Sequence, residues 1–196
     1  EKQSLIVRKN LNFSCLVNNG VIPDGVFRTA MREYGPELSY FITTTYNCNL
    51  DKNSRVMDIW GARNMEFKTV QIEGPVFLSI YLLHNEVFLT GYQISAPKNS
   101  TASWAVIGCK DNDDDGVVLD DQHDFVFENE NLLSIQFDDD DQPEKPFRII
   151  RLVGLSGSIS VKCFDILGNV VVADEMSNNE VTKGFGYPSE IDEMIS

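Results

Sequence analysis

Apolar residues at Val26, Phe27, Ala30, Met31 and Tyr34 recur as i, i+1, i+4, i+5, i+8, the stripe of one helix face, between Pro23-Asp24-Gly25 and the stop Gly35-Pro36. The spacing predicts one short helix there, lying on the body of the fold. The other apolar runs are Leu38 to Thr45, Met65 to Ile72, Val76 to Leu83, Val87 to Ile94, Trp104 to Cys109, Phe125 to Phe127, Leu132 to Phe137, Phe147 to Val153 and Ile159 to Leu167. Each has the length and the β-branched or aromatic enrichment of a strand, and Gly, Pro, Asn or Asp clusters separate them. Ile159, Val161 and Cys163 alternate with Ser158, Ser160 and Lys162, which predicts a strand with one wet face. His84-Asn85-Glu86, between two apolar runs, reads as a hairpin turn. About eight or more such strands predict an all-β sandwich or barrel. The chain shows no internal repeat.

The 196 residues, 42% of them hydrophobic, suffice for one sizeable core with arms. The expected division is an N-terminal arm (1–12), a sandwich (13–172) and an acidic C-terminal arm (173–196). A net charge of -14 opposes approach to a phosphate backbone or an anionic lipid surface, so neither nucleic acid nor membrane insertion is expected. No run reaches the roughly 18 apolar residues of a membrane span, and the first residues lack the apolar core of a signal peptide. Cys15, Cys48, Cys109 and Cys163 lie far apart without metal-ligand spacing, and Cys109 and Cys163 sit inside strand patterns. The last two read as buried thiols, and the set as that of a reduced, intracellular chain, with two disulfides as the alternative. Asn12-Phe13-Ser14 and Asn99-Ser100-Thr101 match the glycosylation acceptor pattern, which matters only in a secreted chain.

Candidate chemistry is sparse. Asp111-Asn112-Asp113-Asp114-Asp115-Gly116 satisfies the first half of a calcium loop, but the twelfth position is Gln122 and the preceding Trp104 to Cys109 reads as strand. The pattern therefore does not predict an EF-hand. A different calcium site built from Asp111, Asp113 and Asp115 stands against a solvated turn, and the run Asp138 to Asp141 reads as a surface loop. His84 and His123 lie in turn and loop patterns; no nucleophile elbow, phosphate loop or metalloprotease helix is present. No enzyme activity is expected, and no cofactor beyond an optional calcium ion. Trp60, in Asp58-Ile59-Trp60-Gly61-Ala62-Arg63-Asn64, offers an aromatic platform with Arg63 and Asn64 beside it, the pattern a sugar site needs; the alternative is a core-capping aromatic under a loop. In the acidic C-terminal arm, Phe185, Tyr187, Ile191 and Met194 are candidate anchors in a groove on another protein; the alternative is a tail that folds back.

The ordered set Tyr92-Gln93-Ile94, Trp104 with Gly108, Asp115-Gly116, Arg148 with Arg151-Leu152, and Phe164-Asp165-Ile166-Leu167-Gly168 resembles the discoidin, or coagulation-factor type C, family of the galactose-binding-like superfamily. It covers about Met65 to Val172, and the helix opening Gly25-Val26-Phe27 resembles the version in intracellular protozoan proteins. The chain departs from the pattern at Cys109, at Val117-Val118 and in the placement of Cys163 before Gly168. The resemblance implies a galactose-binding-like jelly-roll β-sandwich with one short helix and extended termini, with Arg148 and Arg151 holding loop carboxylates or carbonyls. It also implies a non-enzymatic interaction or structural module that joins other proteins in an intracellular assembly, cytoskeletal or ciliary. The alternative is a lectin-like carbohydrate-binding module with optional calcium.

Overall fold

A computed structural model describes residue 11, residues 14–111, 114–173 and 186–195. In chain order these form β1 (Ser14–Cys15), α1 (Val26–Tyr34), β2 (Ile42–Tyr46), β3 (Phe67–Lys68), β4 (Val76–Leu82), β5 (Asn85–Ser95), β6 (Thr101–Cys109), β7 (Val117–Val126), β8 (Leu133–Gln136), β9 (Ile149–Gly154), β10 (Ser160–Val161), β11 (Cys163–Val172) and α2 (Glu190–Met194). A five-stranded sheet in the order β2-β4-β9-β6-β7 faces a four-stranded sheet in the order β1-β11-β5-β8, and β10 with β3 makes a two-stranded ribbon. The strand pairs are antiparallel. This is the galactose-binding-like β-sandwich.

The strand period of two sorts the side chains of the five-stranded sheet. Val76, Leu78, Ile80 and Leu82 of β4, Trp104 and Val106 of β6, and Ile150 and Leu152 of β9 enter the core between the sheets. Their neighbours Phe77, Tyr81, Ala105, Ile107, Ile149 and Val153 form a second apolar cluster on the outer face. Both faces of these strands are covered, which is why they read as unbroken apolar runs.

Helix α1 is docked by a residue far away in the sequence. Asp165 of β11, fully buried, accepts hydrogen bonds from the backbone N–H of Phe27 (2.8 Å) and of Arg28 (3.0 Å) and from Arg28 Nε (2.9 Å). The two backbone groups are helix N-terminal donors that Gly25, with no capping side chain, leaves unmet. A Cβ at Gly25 would fall 2.2 Å from the Asp165 carboxyl carbon, so only glycine admits that approach. Arg28 Nη2 also donates to Gln93 Oε1, and Gln93 Nε2 donates to Ser134 Oγ at 3.2 Å, tying the helix to β5 and β8. Burial pushes the Asp165 carboxyl pKa up, against the pull of these donors.

Several predicted elements differ. The run from Leu38 begins as a 3-10 turn, Gly35–Tyr40 with Pro36 in its first turn, and becomes strand only at Ile42. Of Met65 to Ile72, only Phe67 and Lys68 form a named strand, with an isolated bridge at Thr69. Ile159 to Leu167 splits at Lys162 because β10 pairs with β3 whereas β11 pairs with β5. Asp120 to Asp124, expected as a loop, belongs to β7. The N-terminal Leu11 is held by reciprocal bonds with Asn85, at 3.1 and 2.9 Å. No helix among the described residues is long and apolar enough to cross a membrane.

Candidate functional site

Strands β7 and β8 are edge strands of opposite sheets, and the space between them opens to solvent as a groove of about 830 Å³. Leu119 of β7, Ile135 of β8, and Phe137, Pro146 and Phe147 of the connection to β9 supply apolar wall. Phe147 is fixed by hydrogen bonds in both directions with the backbone of Val87, at 2.8 and 2.9 Å. Its ring lies over Gly108, where a Cβ would come within 2.7 Å of it, so the glycine of β6 leaves room for the groove's floor.

One carboxylate in this wall is held from behind. Trp104 Nε1 donates to Tyr92 Oη at 2.9 Å, the Tyr92 hydroxyl donates to Asp120 Oδ2, and Gln122 Nε2 reaches the same oxygen at 3.2 Å. Tyr92 is fully buried and Trp104 nearly so, and each has its polar end satisfied through this relay. Burial, and then the hydrogen bond to Asp120, push the Tyr92 hydroxyl pKa up, which keeps it a donor. Both bonds land on Oδ2. Among the described residues no protein donor is recorded at Oδ1, the acceptor a ligand hydroxyl or amine can meet. Around Asp120 the lining carries Asp114, Asp138, Asp141 and Glu144 against Lys110 and Lys145, so the groove is net negative.

The residues proposed from the sequence lie elsewhere. Trp60 is no exposed platform: it is 5% exposed, with its ring 5.7 Å from that of Phe27 under the loop. Arg63 is committed to Asp58, donating at 2.8 and 2.6 Å, and to the Asn53 carbonyl at 3.0 Å. The Arg63 hydrogen bonds hold the buried Asp58 carboxyl below the usual carboxylate range. Asn64 is exposed in a left-handed turn conformation, φ 52°. The three therefore do not assemble a sugar platform.

Of the expected calcium ligands, Asp111 and Asp115 are described. Asp113 lies outside the described residues, the Asp115 side chain lies against Gly186, and no group of three or more His, Cys, Asp or Glu able to hold a metal occurs among the described residues. Asp114 shapes the β6–β7 turn instead, accepting from the backbone N–H of Lys110 (3.0 Å) and Gly116 (2.9 Å). His123, at the exposed edge of β7, pairs with Asp121 at 2.6 Å.

The arm anchors are also placed. Phe185 lies outside the described residues, whereas Tyr187, Ile191 and Met194 pack on the outer face of the chain's own five-stranded sheet, with Ile191 fully buried. Arg148 donates to the carbonyls of Leu82 (3.0 Å) and Leu83 (2.7 Å), and Arg151 donates to that of Gly186 (2.7 Å), in line with the carbonyl-holding role expected of them. The sequence reading missed Asp120 and the groove. The one signal was a tyrosine inside an apolar strand, whose hydroxyl requires a partner that sequence spacing does not identify.

No family model matches the chain, and no curated protein matches it. Solved structures do. The module CBM32-1 from a family 31 glycoside hydrolase of Clostridium perfringens superposes with a TM-score of 0.50 at 11% identity, covering 64% of this chain and 93% of that one. The C-terminal domain of a chitobiase from Bacteroides fragilis gives 0.51 at 11% identity, covering 66% and 95%. A fucolectin from striped bass (Morone saxatilis) serum gives 0.50 at 10% identity, covering 65% and 46%. A family 89 glycoside hydrolase from Clostridium perfringens gives 0.51 at 12% identity, but the chain spans only 15% of that enzyme. At these identities the likeness shows the fold.

Proposed function

We propose that the chain is a non-catalytic, lectin-like carbohydrate-binding module whose ligand lies in the groove between β7 and β8. The carrying observation is Asp120: a carboxylate aligned by Tyr92 and Gln122 in the wall of a groove that sets apolar side chains beside acidic ones. An oriented acceptor beside apolar and aromatic surface suits a sugar ring, which presents hydroxyl donors at its edge and C–H groups on its face. Sharing the fold with a glycoside hydrolase module, a chitobiase domain and a fucolectin supports this reading. Excess carboxylate in the lining favours neutral or amine-bearing sugars and opposes uronates, sialic acids and sulfated chains.

This reading takes the place of a role in a cytoskeletal or ciliary assembly, because Tyr187, Ile191 and Met194 are seated on the chain's own sheet. The test is a glycan panel followed by calorimetry on the wild type and on Asp120→Asn. Retention of neutral or amine-bearing glycans, with at least tenfold weaker binding in an Asp120→Asn variant of unchanged circular dichroism, supports the proposal. Retention of no glycan by the wild type, or equal affinity in the variant, rejects the ligand class or the site respectively.

A further inference from the structure

The outer face of the five-stranded sheet is a second apolar surface, built by Phe77 and Tyr81 of β4, Ile107 of β6, and Ile149 and Val153 of β9. Among the described residues the element seated on it is the C-terminal segment 186–195. Ile191 is fully buried, Tyr187 brings its ring to 5.0 Å from that of Phe77, and Met194 and Ile195 are partly buried in the same cluster. The spacing of Tyr187, Ile191, Met194 and Ile195 is that of one face of a helical turn, while Glu190, Asp192 and Glu193 point their charge outward.

A buried cation fixes the start of the segment. Arg151, 0% exposed and held by Ser79 Oγ at 3.1 Å, donates through Nη1 to the Gly186 carbonyl at 2.7 Å. The helix α2 is five residues long, too short to persist alone, so its order depends on the surface beneath it. The groups recognised belong to β4, β6 and β9, whereas the segment follows β11 of the other sheet after thirteen intervening residues, 173–185. Its recognition therefore does not depend on which molecule the segment comes from.

We propose that this face is a peptide-binding site for the chain's own C-terminal segment, and that the segment of a second copy can occupy it, giving an exchanged dimer. The second copy is the partner of choice because the one segment shown to fit the face is this chain's own. In one molecule the tether gives the segment an effective concentration in the millimolar range, so the monomer dominates in dilute solution and exchange grows with concentration. This proposal does not rest on the carbohydrate reading, since Phe77, Tyr81, Ile107, Ile149 and Val153, which build the face, do not line the groove that holds Asp120.

The test uses full-length Ile191→Asp, in which a charge at the buried anchor releases the chain's own segment. A fluorescent peptide of residues 186–196 is titrated into it and followed by anisotropy. Saturable binding is expected, at least tenfold tighter than to the wild type, whose own segment competes, and absent for a peptide carrying Ile191→Asp. A second full-length copy carrying Val153→Arg, with an intact segment and a blocked face, is expected to form a 1:1 dimer with Ile191→Asp in sedimentation. No peptide binding by a variant that retains the wild-type circular dichroism overturns the proposal, as does equal binding to wild type and variant. Should Ile191→Asp fail to fold, the double variant Tyr187→Ala/Met194→Ala, which removes partly buried side chains only, undergoes the same titration and is judged by the same outcomes.

Discussion

Replacing Asp165 by alanine should be among the costliest single changes in the chain. The carboxylate is fully buried and accepts from the backbone N–H groups of Phe27, Arg28 and Ile166 and from Arg28 Nε, at 2.8 to 3.0 Å. Alanine leaves buried donors and a largely buried guanidinium without their acceptor. Each unsatisfied buried group costs about 1–3 kcal/mol, and breaking a buried ion pair on one side costs about 3–5 kcal/mol. These figures overlap because the donors share one acceptor, and burial already opposes ionisation of that acceptor. A net loss of about 4 kcal/mol is therefore expected. For a chain of this size, each kcal/mol moves the midpoint by about 2–4 °C, so thermal unfolding followed by circular dichroism should show a fall on the order of 10 °C. Asp165→Asn, which keeps the shape and one acceptor oxygen, should fall between alanine and wild type. Because Gln93 connects Arg28 to Ser134 of β8, the alanine variant should also weaken ligand binding in the groove. A fall of less than 3 °C in Asp165→Ala would refute the claim that this carboxylate docks the helix.

Further expectations concern other parts of the molecule. Asp58→Asn should lose about 1–3 kcal/mol in urea unfolding at neutral pH; because Arg63 lowers the folded-state pKa of Asp58, its stabilisation is complete above the ordinary carboxylate pKa of about 4 and is lost as pH falls through the lower folded value, so the gap between the two proteins should shrink with acidification. Gly108→Ala sets a methyl 2.7 Å from the Phe147 ring, and overpacking of about 1–3 kcal/mol should lower the midpoint and weaken glycan binding together; unchanged binding would show that Phe147 does not form the floor. Burial pushes the thiol pKa up to about 11 in Cys109 and about 12 in Cys163, and also raises it in Cys15 and Cys48, so access to the sulfur separates the four. Only the half-buried Cys48 should react promptly with a thiol reagent at pH 8, with all four reacting after denaturation; two or more prompt thiols would contradict the described packing.

The parts legible in the sequence are those set within a few residues. Helix α1 spans Val26–Tyr34 as its stripe and flanking glycines predicted, because the period of 3.6 and the punctuation at Gly25 and Gly35-Pro36 are local. The apolar runs of β4, β6 and β9 were likewise readable, since strands covered on both faces are apolar at successive positions; so was the alternation from Ser158 to Cys163, though not its division between two strands at Lys162. The ordered residues from Tyr92 to Gly168 carried enough of the superfamily pattern to indicate the sandwich.

The tertiary structure alone decided what covers each face and where a ligand fits. Trp60 in its local sequence serves equally as a platform or as a core residue; Phe27, more than thirty residues earlier, decides for the core. Asp120 sits in an acidic stretch that resembles a loop until pairing with β6 makes it a strand and brings it to the hydroxyl of Tyr92. The groove exists because β7 and β8 end different sheets, and the C-terminal segment finds its seat on strands that do not adjoin it in sequence. Periodicity reports that a face is buried, but the partner that buries it is set by long-range packing, which no local pattern encodes.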